Sequence, residues 1–377
     1  MTLTNDFDRY RHAKEKHGGR IDKHSPWVGW SIIAGLSVLT IIAWVFAIPG
    51  YQNFAQGDPS VSADINRSQT PSRPSDAGGN KLLPGLLLTE REPDEMAVVF
   101  LDVGQGDAIF IQTPDKHTML IDSGEGTNPD YEYARKIDAA HSLILPFFQK
   151  NKIEKLDVFV ESHPHSDHIG SAADILNNIP VDELWLSGHD HPSKAMENML
   201  YAAKQQNTTT RAPIEVGGNM KEGSQFSLGD YVNGWILRTA PKDKDINNAS
   251  LALMLYYGET GMIFAGDTEG SREGGGLGEQ ELVKTWGEQL DVEILKINHH
   301  GSRFSSAPTF IDYIDPDHSV FMVGHYNTFG HPTDEVISRV RKAGSKIHRT
   351  DEDGTIYMFT DGDNIRVINQ RDFTAVN

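Results

Sequence analysis

No cysteine occurs anywhere in the 377 residues. That absence excludes disulfides, thiolate metal ligands and cysteine nucleophiles together. It leaves the compartment open, since a chain without thiols is indifferent to redox conditions. Positive charge is also scarce: 34 Lys and Arg stand against 53 Asp and Glu, a formal net charge of −19. A surface of that sign repels polyanions in bulk, which argues against unaided, nonspecific binding to DNA. It does not exclude a nuclease, because a dinuclear metal site can invert the field locally. An internal repeat is missing too, which excludes a solenoid.

Long hydrophobic runs are confined to one place. Residues 2–25 are polar and carry Arg9, Arg11, Lys14, Lys16, Arg20 and Lys23. Residues 27–48 then contain no charge and only Ser31, Ser37 and Thr40 as polar side chains, a run long enough to cross a bilayer once. Trp27, Trp30 and Trp44 lie near its ends, where an aromatic belt belongs. The pattern predicts a cytoplasmic basic tail over 1–26, a transmembrane helix over 27–48, and everything beyond outside the cytoplasm by the positive-inside rule. The protein would sit in the cell membrane as a single-pass chain. The alternative is a cleaved signal peptide, with Val45-Phe46-Ala47 as the small-residue site, although the apolar run exceeds the usual length for one. With no cysteine after the run, a bacterial lipid anchor is excluded. Residues 49–94 read as a disordered linker rich in Ser, Pro, Asp, Asn and Gly, with Thr70-Pro71-Ser72-Arg73-Pro74-Ser75 at its centre. A short apolar island, Leu82 to Leu88, can dock on the next domain.

From residue 95 to 377 the pattern is that of one α/β domain. Strands are predicted at Ala97–Val103, Ala108–Gln112, His117–Ile121, Leu156–Glu161, Glu183–Leu186, Gly234–Arg238, Ser250–Tyr257, Met262–Ala265, Val292–Ile297, Ser319–Val323, Lys346–His348 and Thr355–Phe359. Helices are predicted at Tyr131–Lys150, Ile169–Asn178, Lys194–Gln205, Glu279–Gln289, Pro308–Ile314 and Thr333–Lys342. Strands first, then alternation, then strands again, predict two sheets packed between outer helices.

The chemistry concentrates in Ser162-His163-Pro164-His165-Ser166-Asp167-His168, a run of H-x-H-x-D-H on the loop leaving a strand. Sheets of this class put their chemistry at strand ends. His163 and His165 alternate along extended backbone, so both can face one ion. Asp167 and His168 can turn to a second ion about 3.5–4 Å away. Imidazole with carboxylate suits Zn²⁺, Mn²⁺ or Fe²⁺ better than Ca²⁺. A His-rich solvated loop is the bland alternative, but it has no reason to alternate ligands. Asp267, in Gly266-Asp267-Thr268, ends another strand and can bridge two ions; a helix-capping aspartate is the alternative. His299-His300-Gly301-Ser302 follows a third strand. Neighbours on extended backbone point opposite ways, so one histidine completes the second metal and the other binds or protonates a substrate oxygen. His331, in the loop Val323–Pro332, is placed as a substrate contact or, equally, as a packed loop histidine.

Taken together these pieces resemble the metallo-β-lactamase superfamily, through Asp122-Ser123-Gly124, His163-x-His165-x-Asp167-His168 and Gly266-Asp267-Thr268. Within it they look like the soluble C-terminal hydrolase domain of ComEC-type competence proteins. That likeness is carried by Leu101-Asp102-Val103-Gly104-Gln105-Gly106-Asp107-Ala108, Asn248-Ala249-Ser250-Leu251, His299-His300-Gly301-Ser302, Asn327 to Pro332, and Arg349-Thr350-Asp351. The resemblance covers roughly residues 95–370 and implies a four-layer αβ/βα metallo-β-lactamase sandwich, here preceded by one transmembrane helix. It implies two divalent ions, Zn or Mn. His163 and His165 would hold the first, Asp167 and His168 the second, with Asp267 between them and His299 or His300 completing the second. Of that pair, His299 is taken as the ligand. His300 joins Asp167, Asp267 and His331 as catalytic groups. The chain departs from the pattern twice. It offers one hydrophobic run where ComEC proteins have many, so a channel role does not carry over. It also has no histidine between Pro192 and Asn298 to serve the first ion, His189 and His191 falling soon after the main motif, so the first ion is either short of a ligand or uses Asn247 or Asn248.

The function expected is metal-dependent hydrolysis by a metal-activated water. A phosphodiesterase or nuclease acting on DNA or an envelope phosphodiester is the leading reading. A lactonase or β-lactamase is the second enzyme reading, and would require an apolar pocket beside the metals. A tethered binding module that has lost catalysis is the third. No protein partner is identifiable from the residues.

Overall fold

The computed structural model of the chain describes residues 88–127, 138–271 and 277–371. The tail 1–26, the apolar run 27–48 and linker residues 49–87 lie outside the described residues. Among the described residues no helix is long and apolar enough to cross a membrane. The last linker residues are described: a 3-10 turn, Leu88–Glu90, sets Leu88 against the core, and the Leu88 N–H donates to Asn151 Oδ1 at 2.6 Å.

Six strands come first: β1 Met96–Phe100, β2 Ile109–Gln112, β3 Thr118–Ile121, β4 Leu156–Val160, β5 Val181–Trp185 and β6 Thr209–Arg211. Seven more form a second sheet: β7 Gln225–Leu228, β8 Val232–Arg238, β9 Ala252–Tyr257, β10 Thr260–Phe264, β11 Ile294–Lys296, β12 His318–Phe321 and β13 Lys346–Arg349. Then β14 Ile356–Thr360 and β15 Ile365–Asn369 return to the first sheet. The orders are β15-β14-β1-β2-β3-β4-β5-β6 and β13-β12-β11-β10-β9-β8-β7.

The layering follows from the side chains. Met96, Val98 and Phe100 of β1 join a core between the two sheets, with Leu253, Leu255, Met262 and Phe264 of the second sheet. Ala97 and Val99 point the other way, to a core with Phe147, Ile175 and Met199 from helices Leu145–Asn151, Ala172–Asn178 and Lys194–Gln206. The second sheet has its own outer core, with Leu282, Phe310, Ile311, Val336 and Val340 from helices Gly278–Trp286, Pro308–Ile314 and Asp334–Lys342. Strands buried on both faces read as continuous apolar runs, which is why these were legible in the sequence. The result is the mixed helix–sheet–sheet–helix sandwich that the sequence predicts.

Three strands escape the sequence reading: β6, β7 and β15. Their residues are exposed or partly buried, Leu228 apart, so no buried apolar run marks them, and all three lie at sheet ends. The helix predicted over Tyr131–Lys150 is described from 138 on. It starts as a π-helical turn, Ala140–Ile144, and becomes the α-helix Leu145–Asn151.

Strands β3 to β6 run parallel, as do β10 to β13. The loops leaving β3, β4, β10, β11 and β12 therefore emerge at carboxyl ends, and they converge on one place between the sheets.

Candidate metal centre

Each loop brings a different side chain to that place for a local reason. After β4 the chain bends at His163 and Pro164, is extended at His165 (φ −71°, ψ 151°) and then makes one helical turn, Ser166–Ile169. His163 and His165 meet, Nε2 to Nδ1, at 3.0 Å. The turn swings Asp167 and His168 to the other side. The turn is held close by Gly106 (φ +131°), where an added Cβ would overlap the Asp167 carbonyl. The neighbouring Asp107 N–H donates to that carbonyl at 3.1 Å.

Oδ2 of Asp267 is the centre of the cluster. It lies 3.3 Å from Nε2 of His168, 3.5 Å from His300, and 3.8 Å from both His163 and His299. His300 Nε2 also lies 3.3 Å from Asp167 Oδ2. Two groups of potential ligands can each close on an ion, His163–His168–Asp267 and Asp167–His168–His300, and a third joins Asp107 and Asp122 to His168.

The backbone at His299 and His300 differs from the sequence reading, which treats it as extended. Both residues are left-handed (φ 46° and 52°), a conformation that costs a non-glycine residue about 1–3 kcal/mol. Two successive left-handed residues turn both rings toward Asp267, so the two side chains do not point opposite ways.

Outer partners fix the rings. His168 Nδ1 donates to Asp122 Oδ2 at 2.8 Å, His299 Nδ1 to Glu269 Oε1 at 2.8 Å, and His300 Nδ1 to the Met322 carbonyl at 2.9 Å. Those oxygens accept, so each Nδ1 donates and each ring turns its Nε2 to the centre. Ser162 ties this layer together, donating its N–H to Asp122 Oδ1 at 2.8 Å and its hydroxyl to Oδ2 at 2.6 Å. Behind it, burial pushes the Glu161 carboxyl up to about 8.

The fold family implies divalent ions, and the donor set fits them. Nε2 of His168 and His300, Oδ1 of Asp107 and Oδ1 of Asp267 are buried without an aligned hydrogen-bond partner. Orphaned polar atoms are costly in a protein interior, and a cation would satisfy these. Electrostatics agree. Burial lowers the imidazole of His168, but Asp267, Asp122 and Asp167 outweigh it and raise its affinity for positive charge well above the ordinary value. His300 behaves likewise through Asp267 and Asp107. Burial and the neighbouring His168 hold His163 neutral.

Three groups at the centre were not singled out from sequence. Asp107 and Asp122 sit inside quoted motifs, at 1% exposure each, without an assigned role. Lys296 is fully buried in β11. Its ammonium contacts Asp107 Oδ2, lies 3.6 Å from Asp267 Oδ1, and donates to the Gly266 carbonyl at 3.1 Å. A lysine inside Ile294-Leu295-Lys296-Ile297 was the available signal, because a buried strand rarely spends an inward position on a charge without a partner.

The remaining residues divide. The His331 ring is 5.5 Å from that of His299, and burial, then His299 and His300, lower it to about 4. The His191 ring is 6.4 Å from that of His165. His189 is turned to the Pro241 carbonyl, 3.2 Å from its Nδ1. Asn248 is committed elsewhere: its Oδ1 accepts from the N–H groups of Glu269 at 3.1 Å and Gly278 at 3.2 Å.

Comparison with known proteins places this geometry. The chain is 28% identical over 267 residues to ComE operon protein 3 of Bacillus subtilis (strain 168), covering 70% of this chain and 33% of that protein. It is 28% identical over 264 residues to competence protein ComA of Neisseria gonorrhoeae, covering 70% and 32%. The chain thus spans about a third of the length of these curated relatives. A solved structure, the metallo-beta-lactamase fold protein YhfI from Bacillus subtilis, aligns at TM-score 0.44 and 11% identity, over 73% of this chain and 99% of that one. The family model described as the metallo-beta-lactamase superfamily matches residues 101–325. The chain belongs to the metallo-β-lactamase superfamily and carries its hydrolase fold.

Proposed function

We propose that this chain is a membrane-anchored, extracytoplasmic phosphodiesterase using two divalent ions, Zn or Mn. The observation that carries the hydrolytic part is the convergence of four imidazole Nε2 atoms within 3.8 Å of one carboxylate oxygen, Asp267 Oδ2. His163, His165 and Asp267 would hold one ion. Asp167, His168, His300 and Asp267 would hold the other. This exchanges the two histidines of the sequence reading: His300 becomes the ligand, and His299 faces substrate with His331. When bound, such ions supply a water activated near neutral pH and positive charge at the developing phosphoryl oxygen.

The chain's own residues do the rest. Asp122 and the Met322 carbonyl hold the His168 and His300 rings with Nε2 toward the ions, and Glu269 orients the His299 ring beside them. Asp167, kept ionised by His168 and His300 despite burial, can accept a hydrogen bond from the nucleophilic water and aim it. His331 is neutral at pH 7 and offers an N–H to the departing oxygen rather than a full proton. A phosphodiester is preferred over a lactone or β-lactam because the ComEC-like motifs extend over the whole domain and the His331 ring, beside His299, adds a donor suited to a phosphate oxygen. The membrane anchor and its orientation rest on residues 1–48 of the sequence.

Metal analysis of the purified chain, with turnover of bis-p-nitrophenyl phosphate, single-stranded DNA, a lactone and nitrocefin in Mn²⁺ and Zn²⁺, tests the proposal. Near two equivalents of metal and cleavage of the diesters are expected. Less than one equivalent with no diester cleavage would overturn it. Protease accessibility on intact cells tests the orientation.

A further inference from the structure

The loop from Gly324 to Pro332 carries two exposed aromatic rings, Tyr326 at 90% and Phe329 at 61%. This loop is braced. Asn327 Nδ2 donates to the carbonyls of Gly324 at 2.8 Å and His331 at 2.6 Å, and its Oδ1 accepts from the N–H groups of Phe329 at 3.2 Å and His331 at 3.1 Å. Both ends are tied to turns that bear groups of the metal centre. The Gly324 N–H donates to Gln105 Oε1 at 3.3 Å, two residues before Asp107, and the Thr333 N–H to the Gly301 carbonyl at 3.0 Å, next to His300.

Phe329, His331 and His299 form a line from solvent to that centre, and Tyr326 packs against His325 beside it. Phe329 lies 6.0 Å from His331 with its plane inclined by 27°, and His331 lies 5.5 Å from His299. Nδ1 of His331 is buried without a hydrogen-bond partner. On the turn after His300, Arg303 is exposed and rests on the Phe304 ring at 4.7 Å, with no carboxylate partner among the described residues.

We propose that Phe329 and Tyr326 form a stacking platform for the unpaired bases of a single-stranded nucleic acid whose scissile phosphodiester enters the His/Asp centre. The inference rests on the phosphodiesterase reading above and names its substrate class. With a net charge of −19 the chain gains little from long-range attraction to a polyanion. Affinity must then come from short contacts, and stacking on an aromatic face serves every base alike. A paired base hides both faces in its own stack, so the platform selects unpaired strands. Arg303 supplies one local cation for a neighbouring phosphate.

Phe329→Ala and Tyr326→Ala in the full chain test this on three substrates. These are a single-stranded oligodeoxynucleotide, the same strand with abasic sites flanking the scissile linkage, and methyl p-nitrophenyl phosphate. Each substitution is expected to raise KM on the base-bearing strand about tenfold, ~1.4 kcal/mol. Little change in kcat and none on the small diester are expected, and Phe329→Trp should restore the wild-type KM. The wild type should show a similar penalty on the abasic strand. Equal KM values for the two strands in the wild type, or equal effects of the variants on both, would overturn the platform. Turnover of the small diester with neither strand cleaved overturns it while leaving the phosphodiesterase reading in place. If no diester is cleaved, that reading falls, and fluorescence anisotropy of the labelled strand decides the platform alone: tenfold weaker binding by the variants supports it, and unchanged binding overturns it.

Discussion

Nε2 of His300 lies 3.3 Å from Oδ2 of Asp167, whereas His299 reaches only Asp267 among the carboxylates facing the centre, at 3.8 Å. The two histidines are neighbours in sequence and unequal in position. His300 is 1% exposed, and His299 is a fifth exposed toward His331. Under the proposed assignment His300→Ala loses about one of two bound ions. His299→Ala keeps both and loses turnover on the order of 100-fold. Metal content by plasma emission, read beside turnover on one preparation, separates them; an ion lost from His299→Ala alone would reverse the assignment.

Asp267 is asked to serve both ions, so its loss cannot be made good by either half of the site. Asp267→Ala should bind less than one equivalent of metal and have no measurable turnover on any substrate. The backbone is not expected to suffer, because the Asp267 N–H still donates to Ser250 Oγ, 3.1 Å away. Circular dichroism and a thermal melt on the metal-free variant check that. Near-normal turnover would show that Asp267 is not the bridge.

How much of the fold and the site is legible in the sequence depends on whether a residue announces its environment locally. Histidines and aspartates at strand ends announce themselves, because those side chains are wasted on a solvated loop in that spacing. The doubly buried strands are equally plain as apolar runs. Lys296 is not, since its partners Asp107 and Asp267 lie far away in the chain. Nor is the shape at His299 and His300, because a left-handed pair of histidines is strained, and local preference argues for extended backbone. Tertiary contacts hold that strain: Glu269 and the Met322 carbonyl each hold one ring. The edge strands β6, β7 and β15 escape for the opposite reason, having too little buried surface to mark them.

Lys296 and Asp107 form a fully desolvated pair. Burial works against both charges, and each is kept ionised chiefly by the other. Removing Lys296 leaves the buried Asp107 carboxylate with only His300, 3.4 Å away, and His168, 3.9 Å away, facing it, and breaking a buried pair costs about 3–5 kcal/mol. Lys296→Met should therefore destabilise the metal-free chain by about that much in urea unfolding. The double variant Lys296→Met/Asp107→Leu should regain at least half of it. A single-variant loss below about 1 kcal/mol would mean that water or another group compensates Asp107.

His318 on β12 and His348 on β13 stack with their ring centroids 5.2 Å apart, and Nδ1 of the first meets Nε2 of the second at 2.9 Å. One nitrogen must donate and the other accept, so the pair is stable only when at least one ring is neutral. Burial, then His348 and Lys346, lower His318 to about 4, while Asp317 opposes them weakly. In the unfolded chain the ring takes its proton near 6.5. Between those values the unfolded state binds more protons, so stability rises with pH across the window and is lost as pH falls from about 6.5 toward 4. The full loss is about 3 kcal/mol. His318→Asn keeps a hydrogen-bonding group near the Nδ1 position and removes the titration. Its thermal midpoint should change less between pH 7 and 5 than that of the wild type, and parallel curves would exclude this pair as the source of acid sensitivity.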